Sequence, residues 1–350
     1  MSDREKFLKE KISSLVPKET ELESRGEHFD FHAPVTCSVT TSHSIAVGFG
    51  DGKVRFFFEG EKPRIIDAHN GVVLSIATNG EYIFTGGDDG RFLKLSQNGN
   101  IVEIANFNSR WVDSVAAYKD SMVCSSGRNV YIWSGDQKKA KSLEHSSTVG
   151  GLAFDHTGKR LAVSSYGGVT VWERGERRWT SKRLVWKGSH SKVGFSPDGK
   201  YIVTSMQESE LHGWRLRDKV DLAMRGYPAK IKSFAWVGDT PHLATSGDHQ
   251  AICWPFDGKD GPLGREPVCV ADCGKQISTF IEPLTGEKAI FVGFNDGSVL
   301  LSELDENKNP FVIRNPKGSE ISAIAISPNR SHILIAVSYT HLTLPTIYSV

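Results

Sequence analysis

Any catalysis or metal binding in this 350-residue chain would have to draw on its twelve histidines, its five cysteines and the carboxylates that converge on them. The spacing of these residues argues against such chemistry. There is no His-Glu-x-x-His run for zinc, no Gly-x-Ser-x-Gly elbow to lift a serine nucleophile, and no phosphate-loop lysine motif. The glycine-rich stretch Gly86-Gly87-Asp88-Asp89-Gly90 joins one β-rich run to the next. It therefore lacks the helix N-terminus that cradles a phosphate. Cys37, Cys124 and Cys253 lie inside apolar runs, where cysteine acts as a small hydrophobe. Cys269 and Cys273 stand four apart with no second pair, which does not make a zinc site. No catalytic residue, metal or cofactor is expected, and the unpaired cysteines fit a reducing, cytoplasmic setting.

One segment could do binding chemistry instead. Residues 171–192 read VWERGERRWTSKRLVWKGSHSK. Arg174, Arg177, Arg178, Lys182, Arg183, Lys187 and Lys192 face only Glu173 and Glu176, a net of +5, with Trp179 and Trp186 interleaved. Phosphate backbone or an acidic protein would be drawn to such a stretch. A soluble outer strand has the same composition, because charge on an edge strand discourages unwanted pairing. The outer-strand reading is favoured, and nucleic acid is not the expected partner.

The elements that position these residues follow from a repeat. GFGDGKVRFF at residues 48–57 returns as TGGDDGRFLKL (85–95), SSGRNVYIW (125–133) and SSYGGVTVW (164–172). It continues as SMQESELHGW (205–214), TSGDHQAICW (245–254) and GFNDGSVLLS (293–302). A period of about 40 residues marks a radial β array. Within residues 67–104, the runs 72–77, 82–85, 91–95 and 101–104 are separated by Asn79-Gly80, Asp88-Asp89-Gly90 and a polar turn. These runs are too short for helices and are rich in β-formers, and four of them per period describe a propeller blade.

The turns and strand ends make the family resemblance plain. The Ser-Pro-Asp-Gly-Lys turn at 196–200, the Asp-Gly turns at 51–52, 89–90 and 296–297, and the terminal Trp133, Trp172, Trp214 and Trp254 resemble the WD-repeat β-propeller family. Ala68-His69 and Glu144-His145 stand where that family has Gly-His. The resemblance covers residues 27–337 and implies a buried hydrogen-bond tetrad of His, Ser or Thr, Asp and Trp in each repeat. His69, Thr85 and Asp89 match it, with Leu95 in place of the Trp. The unit ending at Trp172 has His145 and Ser164 or Ser165, but Gly167 where the Asp belongs. The unit ending at Trp254 has Ser246 and Asp248, but Tyr227-Pro228 where the His belongs.

The expected fold is all-β: a closed propeller of four-stranded antiparallel blades, eight in number, with seven as the alternative. Residues 27–31 supply a lone outer strand that closes the ring on the unit at 321–335, which removes exposed sheet edges. Residues 1–26 form an N-terminal helix and linker, with Phe7, Leu8, Ile12, Leu15 and Val16 close to one face of a helix over 3–16 that Pro17 ends. Residues 338–350, SYTHLTLPTIYSV, contain no Gly, Asp, Glu, Lys or Arg and resemble a translated vector or adaptor tail. That leaves the last blade without its third strand.

The formal net charge of +1 excludes a global nucleic-acid clamp. No run of 18 apolar residues could span a membrane, and the N-terminus has no apolar signal core. The resemblance implies that partners meet the face carrying the loops between second and third strands and those leading into each first strand. On that face the repeat places Asp51, Arg110, Trp111, Arg128, Tyr166, His190, Tyr227, His249 and Asn295. Trp, Tyr and Arg dominate binding hot spots. The expected function is a non-enzymatic, monomeric scaffold that joins other proteins in a complex. The alternative is an enzyme or small-ligand binder with its site in the axial channel, which convergent carboxylates or histidines would favour.

Overall fold

Short strands form where the repeat clusters β-branched and aromatic residues, and they end where Gly, Asp and Asn reverse the chain. The structure is a computed structural model that describes residues 18–135, 137, 139–176, 178–238, 241–338 and 342–344. Among these residues the one helix is the single turn α1 (Glu21–Ser24). No helix among them is long and apolar enough to cross a membrane. The helix expected over 3–16 lies outside the described residues, as do Arg177 and most of 339–350.

The first blade shows the plan: Val35–Thr40, Ile45–Phe49, Lys53–Phe57 and Arg64–Asp67 pair antiparallel in sequence order. Four more blades repeat it, beginning with Val73–Thr78, Ser114–Tyr118, Phe234–Val237 and Ser278–Pro283. The sixth four-stranded sheet closes the ring. Its order is Glu27–Phe29, Leu342–Leu344, Ile333–Val337 and Ile321–Ile326. The N-terminal strand thus joins the last unit as expected, but through Leu342–Leu344, which pairs with both Glu27–Phe29 and Ile333–Val337. This corrects the expectation that the last blade lacks a third strand.

The blade count is corrected as well. The fourth and fifth repeat units share one six-stranded sheet. Arg160–Arg174 doubles back on itself at Tyr166-Gly167-Gly168, because the Arg174 N–H donates to Lys159 O at 2.8 Å. Trp179–Phe195 is the outer strand of the fourth unit over residues 179–185 and the first strand of the fifth over 190–195. Among the described residues there are therefore six four-stranded blades and one six-stranded sheet that joins two units, rather than eight separate sheets.

Among the described residues, eight buried apolar clusters hold the ring, each built from two consecutive units. Val54, Phe56, Val73 and Leu93 join the first two units. Ala33, Phe49, Ala325 and Leu334 join the last unit to the first. Burial of this kind is the main favourable term in folding. The N-terminal turn is latched to the ring by polar contacts. Thr20 caps α1 in a capping box with Glu23, and its hydroxyl donates to Ile313 O at 2.8 Å. The fully buried Glu23 carboxylate lies 3.0 Å from Lys317 Nζ and 3.8 Å from Arg314 Nε.

Candidate interaction face

Antiparallel pairing sends the loop between second and third strands, and the loop into the next first strand, to the same end of every blade. Backbone hydrogen bonds then staple one loop type to the other. The Phe107 N–H donates to Gly90 O at 2.8 Å, and the Val112 N–H to Gly87 O at 3.0 Å. A Cβ at Gly90, which has φ of +79°, would meet Asn108 O at 1.9 Å, so only glycine permits this contact. Trp111 is held between the two staples. It is 56% exposed and makes no hydrogen bond or ring contact among the described residues. The Arg110 guanidinium beside it is exposed and has no hydrogen bond or ion pair among the described residues.

Loop 107–113 leads into the blade that carries Arg128. The Arg128 guanidinium lies 2.7 Å from Glu144, and both are exposed. The Arg128 carbonyl accepts from the His145 N–H, on the segment leading to the next unit. That unit presents Tyr166, which is 59% exposed with its hydroxyl unpartnered. Its turn is fixed from three sides. Ser147 Oγ accepts the Tyr166 N–H, Arg183 Nη2 donates to Tyr166 O, and Gly168 sits at φ +127° where a Cβ would strike Leu184 O. Arg110, Trp111, Arg128 and Tyr166 thus occupy one sector of the loop face, on neighbouring units.

The other expected face residues do different work. His190 and Tyr227 are buried, which corrects their placement at the surface. His190 donates from Nε2 to Trp186 O at 3.0 Å and accepts at Nδ1 from Thr204 at 2.7 Å, and burial holds it neutral by lowering its pKa. Tyr227 takes over the missing His of its repeat. Trp254 Nε1–H donates to the Tyr227 hydroxyl at 2.7 Å, which in turn bonds Thr245 Oγ1 at 2.7 Å, and Thr245 donates to Ile252 O. Asn295 is exposed, but its Oδ1 accepts the Ile277 N–H. His249 Nδ1 bonds Gln276 O. Asp51 grips Arg55 through both carboxylate oxygens, and that guanidinium stacks on Phe31 and Phe49.

Elsewhere the blade clamps follow the residues present. His69 bridges Asp89 and Thr85 at 2.9 Å each. In the unit ending at Trp172, Trp172 Nε1–H donates to His145 Nε2 at 3.0 Å, but His145 Nδ1 has no partner, because Gly167 offers no carboxylate. The Tyr227 substitution is testable. Tyr227→Phe strands the Trp254 indole N–H and should cost about 1–3 kcal/mol in urea unfolding. Unchanged stability would show that the hydroxyl is not part of the clamp.

In the basic segment, Arg174, Arg178, Lys182 and Lys187 are exposed, but Arg183 is turned inward. It donates to Ser165, Thr170 and Tyr166 O, and burial lowers its pKa. Lys192 leaves the patch altogether, since its Nζ donates to Phe234 O on the first strand of the next unit. It also feels Glu282, two units away, and Lys232 bonds Glu320 across the same interval. Pairs that skip a unit pass through the axial opening. Burial pushes the Glu282 carboxyl up to about 7, although Lys192 pulls it back. The repeat gave no sign of these pairs. His28 and His32 stand four apart, but on an extended segment, and no group of three metal-ligating side chains forms among the described residues. A cleft of about 580 Å³ lies away from the loop face, at the closing seam, lined by Phe29, Phe31, Phe57, Glu27 and Glu59 among others.

Comparison with known proteins agrees with this geometry. The family model for the WD domain, G-beta repeat, matches residues 60–92 and 137–173, the stretches that contain the His69 and His145 clamps. A coronin-like protein of Saccharomyces cerevisiae is 27% identical over 210 residues, which is 56% of this chain and 31% of that protein. The angio-associated migratory cell protein of Homo sapiens is 22% identical over 208 residues, 57% of this chain and 45% of that one. The chain therefore spans less than half the length of these relatives. In fold it is similar to the computationally designed Ika8 protein, with a TM-score of 0.72 at 15% identity over 91% of this chain and 98% of the other. It is also similar to a chain of the Mitotic Checkpoint Complex, with a TM-score of 0.63 at 17% identity over 79% and 90%. Matched repeats, radial blades and internal His clamps lead to one conclusion: this chain is a β-propeller that carries WD-type repeats.

Proposed function

We propose that this propeller is a non-enzymatic scaffold that holds a protein partner on its loop face, in the sector of Arg110, Trp111, Arg128 and Tyr166. The observation that carries this reading is the pair Trp111 and Tyr166. Both are large aromatic side chains, more than half exposed and without packing duty, and both ride on backbone stapled in place. Rigid aromatic anchors lose little entropy on binding, and such residues supply most of the energy of an interface. Arg110 and Arg128 add charge-assisted contacts at the rim.

The test begins with affinity capture from the native cell and identification of the partner by mass spectrometry. Trp111→Ala and Tyr166→Ala are then titrated against that partner. Each change should weaken binding by about 2 kcal/mol or more. The melting temperature should hold, since neither side chain is buried. Full binding with a lowered melting temperature would make Trp111 a packing residue and end this reading.

An axial ligand is the second reading, and the charge pairs Lys192–Glu282 and Lys232–Glu320 favour it. A small molecule that raises the melting temperature of the wild type but not of Lys192→Met would support it over the scaffold.

A further inference from the structure

The outer strand of the fourth unit differs from its counterparts in how its charges are arranged. On four other outer strands a carboxylate answers a cation or a histidine: Asp67 with Lys53, Glu103 with Arg91, Glu144 with Arg128, and Asp221 with His212. Residues 179–187 contain no carboxylate at all. Arg174, Arg178, Lys182 and Lys187 are exposed on or beside this strand and have no ion pair among the described residues. Only one edge of 179–185 is paired, to residues 168–174. The other edge is an open row of backbone donors and acceptors, which is a template for a further strand.

We propose that this edge receives an extended acidic segment of a protein partner as an added strand of the blade. Main-chain hydrogen bonds would supply register, and the unpaired cations would select for acidic side chains. Val185 adds an apolar contact: it is 70% exposed because its cross-strand neighbour is Gly168, which has no side chain to cover it. Nucleic acid suits the site less well. Trp186 is stacked on His212 at 3.9 Å with an interplanar angle of 14°, and Arg225 lies over its ring. Trp179 packs into the cluster with Trp172. Trp186 is thus already stacked and both indoles are half-buried, which leaves less ring surface on which a base could stack. This edge is a separate site from the Trp111 sector and does not depend on it.

The probe is a fluorescein-labelled, strand-length peptide in which Glu alternates with Thr and Val, titrated by fluorescence polarisation at low salt. The wild type should bind it. The double variant Arg178→Glu/Lys182→Glu should bind at least about tenfold more weakly with an unchanged melting temperature, since both side chains are exposed. A second peptide with the same charges but proline at alternate positions cannot form the ladder and should also bind at least about tenfold more weakly. Trp111→Ala and Tyr166→Ala should bind the first peptide normally, so failure here is distinguishable from failure of the loop-face reading. Equal binding of the proline peptide, equal binding by the charge-reversed variant, or no binding by the wild type would overturn the proposal. Tighter binding of an oligothymidylate of equal charge, lost on charge reversal, would overturn it in favour of nucleic acid.

Discussion

Deleting residues 1–33 is expected to lower the melting temperature by about 10 °C or more and to promote self-association, whereas deleting only 1–17 should shift it by about 3 °C at most. The argument runs through contacts that the longer deletion removes together. Phe29 and Phe31 stack at 5.8 Å and pack edge-on against Phe57 and Phe49 at the seam between last and first units. Arg55 loses one of the two rings that sandwich its guanidinium. Arg314 and Lys317 lose Glu23, which leaves a buried Arg314 without its counter-ion. Breaking a buried pair from one side costs about 3–5 kcal/mol by itself. The strand Glu27–Phe29 also shields one edge of Leu342–Leu344, and its removal opens that edge to other chains. The shorter deletion leaves Thr20, Glu23, Phe29 and Phe31 in place. Equal melting temperatures for the two deletions would mean that this strand does not close the ring. Differential scanning fluorimetry with light scattering reads both effects.

The ring closure was legible because it depends on the repeat, and a period in the sequence carries over to a period in space. Trp111 and Tyr166 were legible for the same reason: the pattern assigns each position to a loop or a strand, and both stand in loops. Burial within a loop is a different matter. Tyr227 occupies the same repeat position as His69 and His145, whereas His190 begins the first strand of its own unit, and all four are buried. A tyrosine there reads as a surface anchor until its hydroxyl is seen between Trp254 and Thr245. The family position of His should have been the signal, because a long polar side chain at that place has the same reach. The joined sheet was hidden because Tyr166-Gly167-Gly168 is tight enough for the strands on either side to run together. Lys192 was misplaced because a run of cations in sequence says nothing about where the outer strand ends and the next first strand begins. Its companion Glu282 is ninety positions away and is brought near only by the ring.

That axial pair underlies the second large prediction, which is read as a pH dependence. Glu282→Gln should be more stable than the wild type at pH 8, by about 3 kcal/mol, and the two should converge by about pH 4. The sign follows from the direction of the shift. Burial raises the folded value of the Glu282 carboxyl to about 7, above its value in the unfolded chain, and Lys192 offsets only part of this. The folded state therefore holds the proton more tightly. Its contribution is complete below the unfolded value of about 4.3 and is lost as pH rises through about 7. Glutamine imitates the protonated acid at every pH, so it escapes the loss. Four buried histidines and the half-buried His242 work the other way. Burial lowers His69, His145, His190 and His242, and takes His212 down to about 4. Their contribution is complete above the unfolded histidine value of about 6.5 and is lost as pH falls through the folded values. The wild-type profile alone is thus a sum of opposing slopes between pH 4 and 7. The difference between wild type and Glu282→Gln cancels the histidines and isolates the carboxyl. Urea unfolding across pH 4–8 measures it. A gap that stays constant with pH, or a variant less stable than the wild type at pH 8, would show that Glu282 is ionised in the folded state throughout and that Lys192 outweighs its burial.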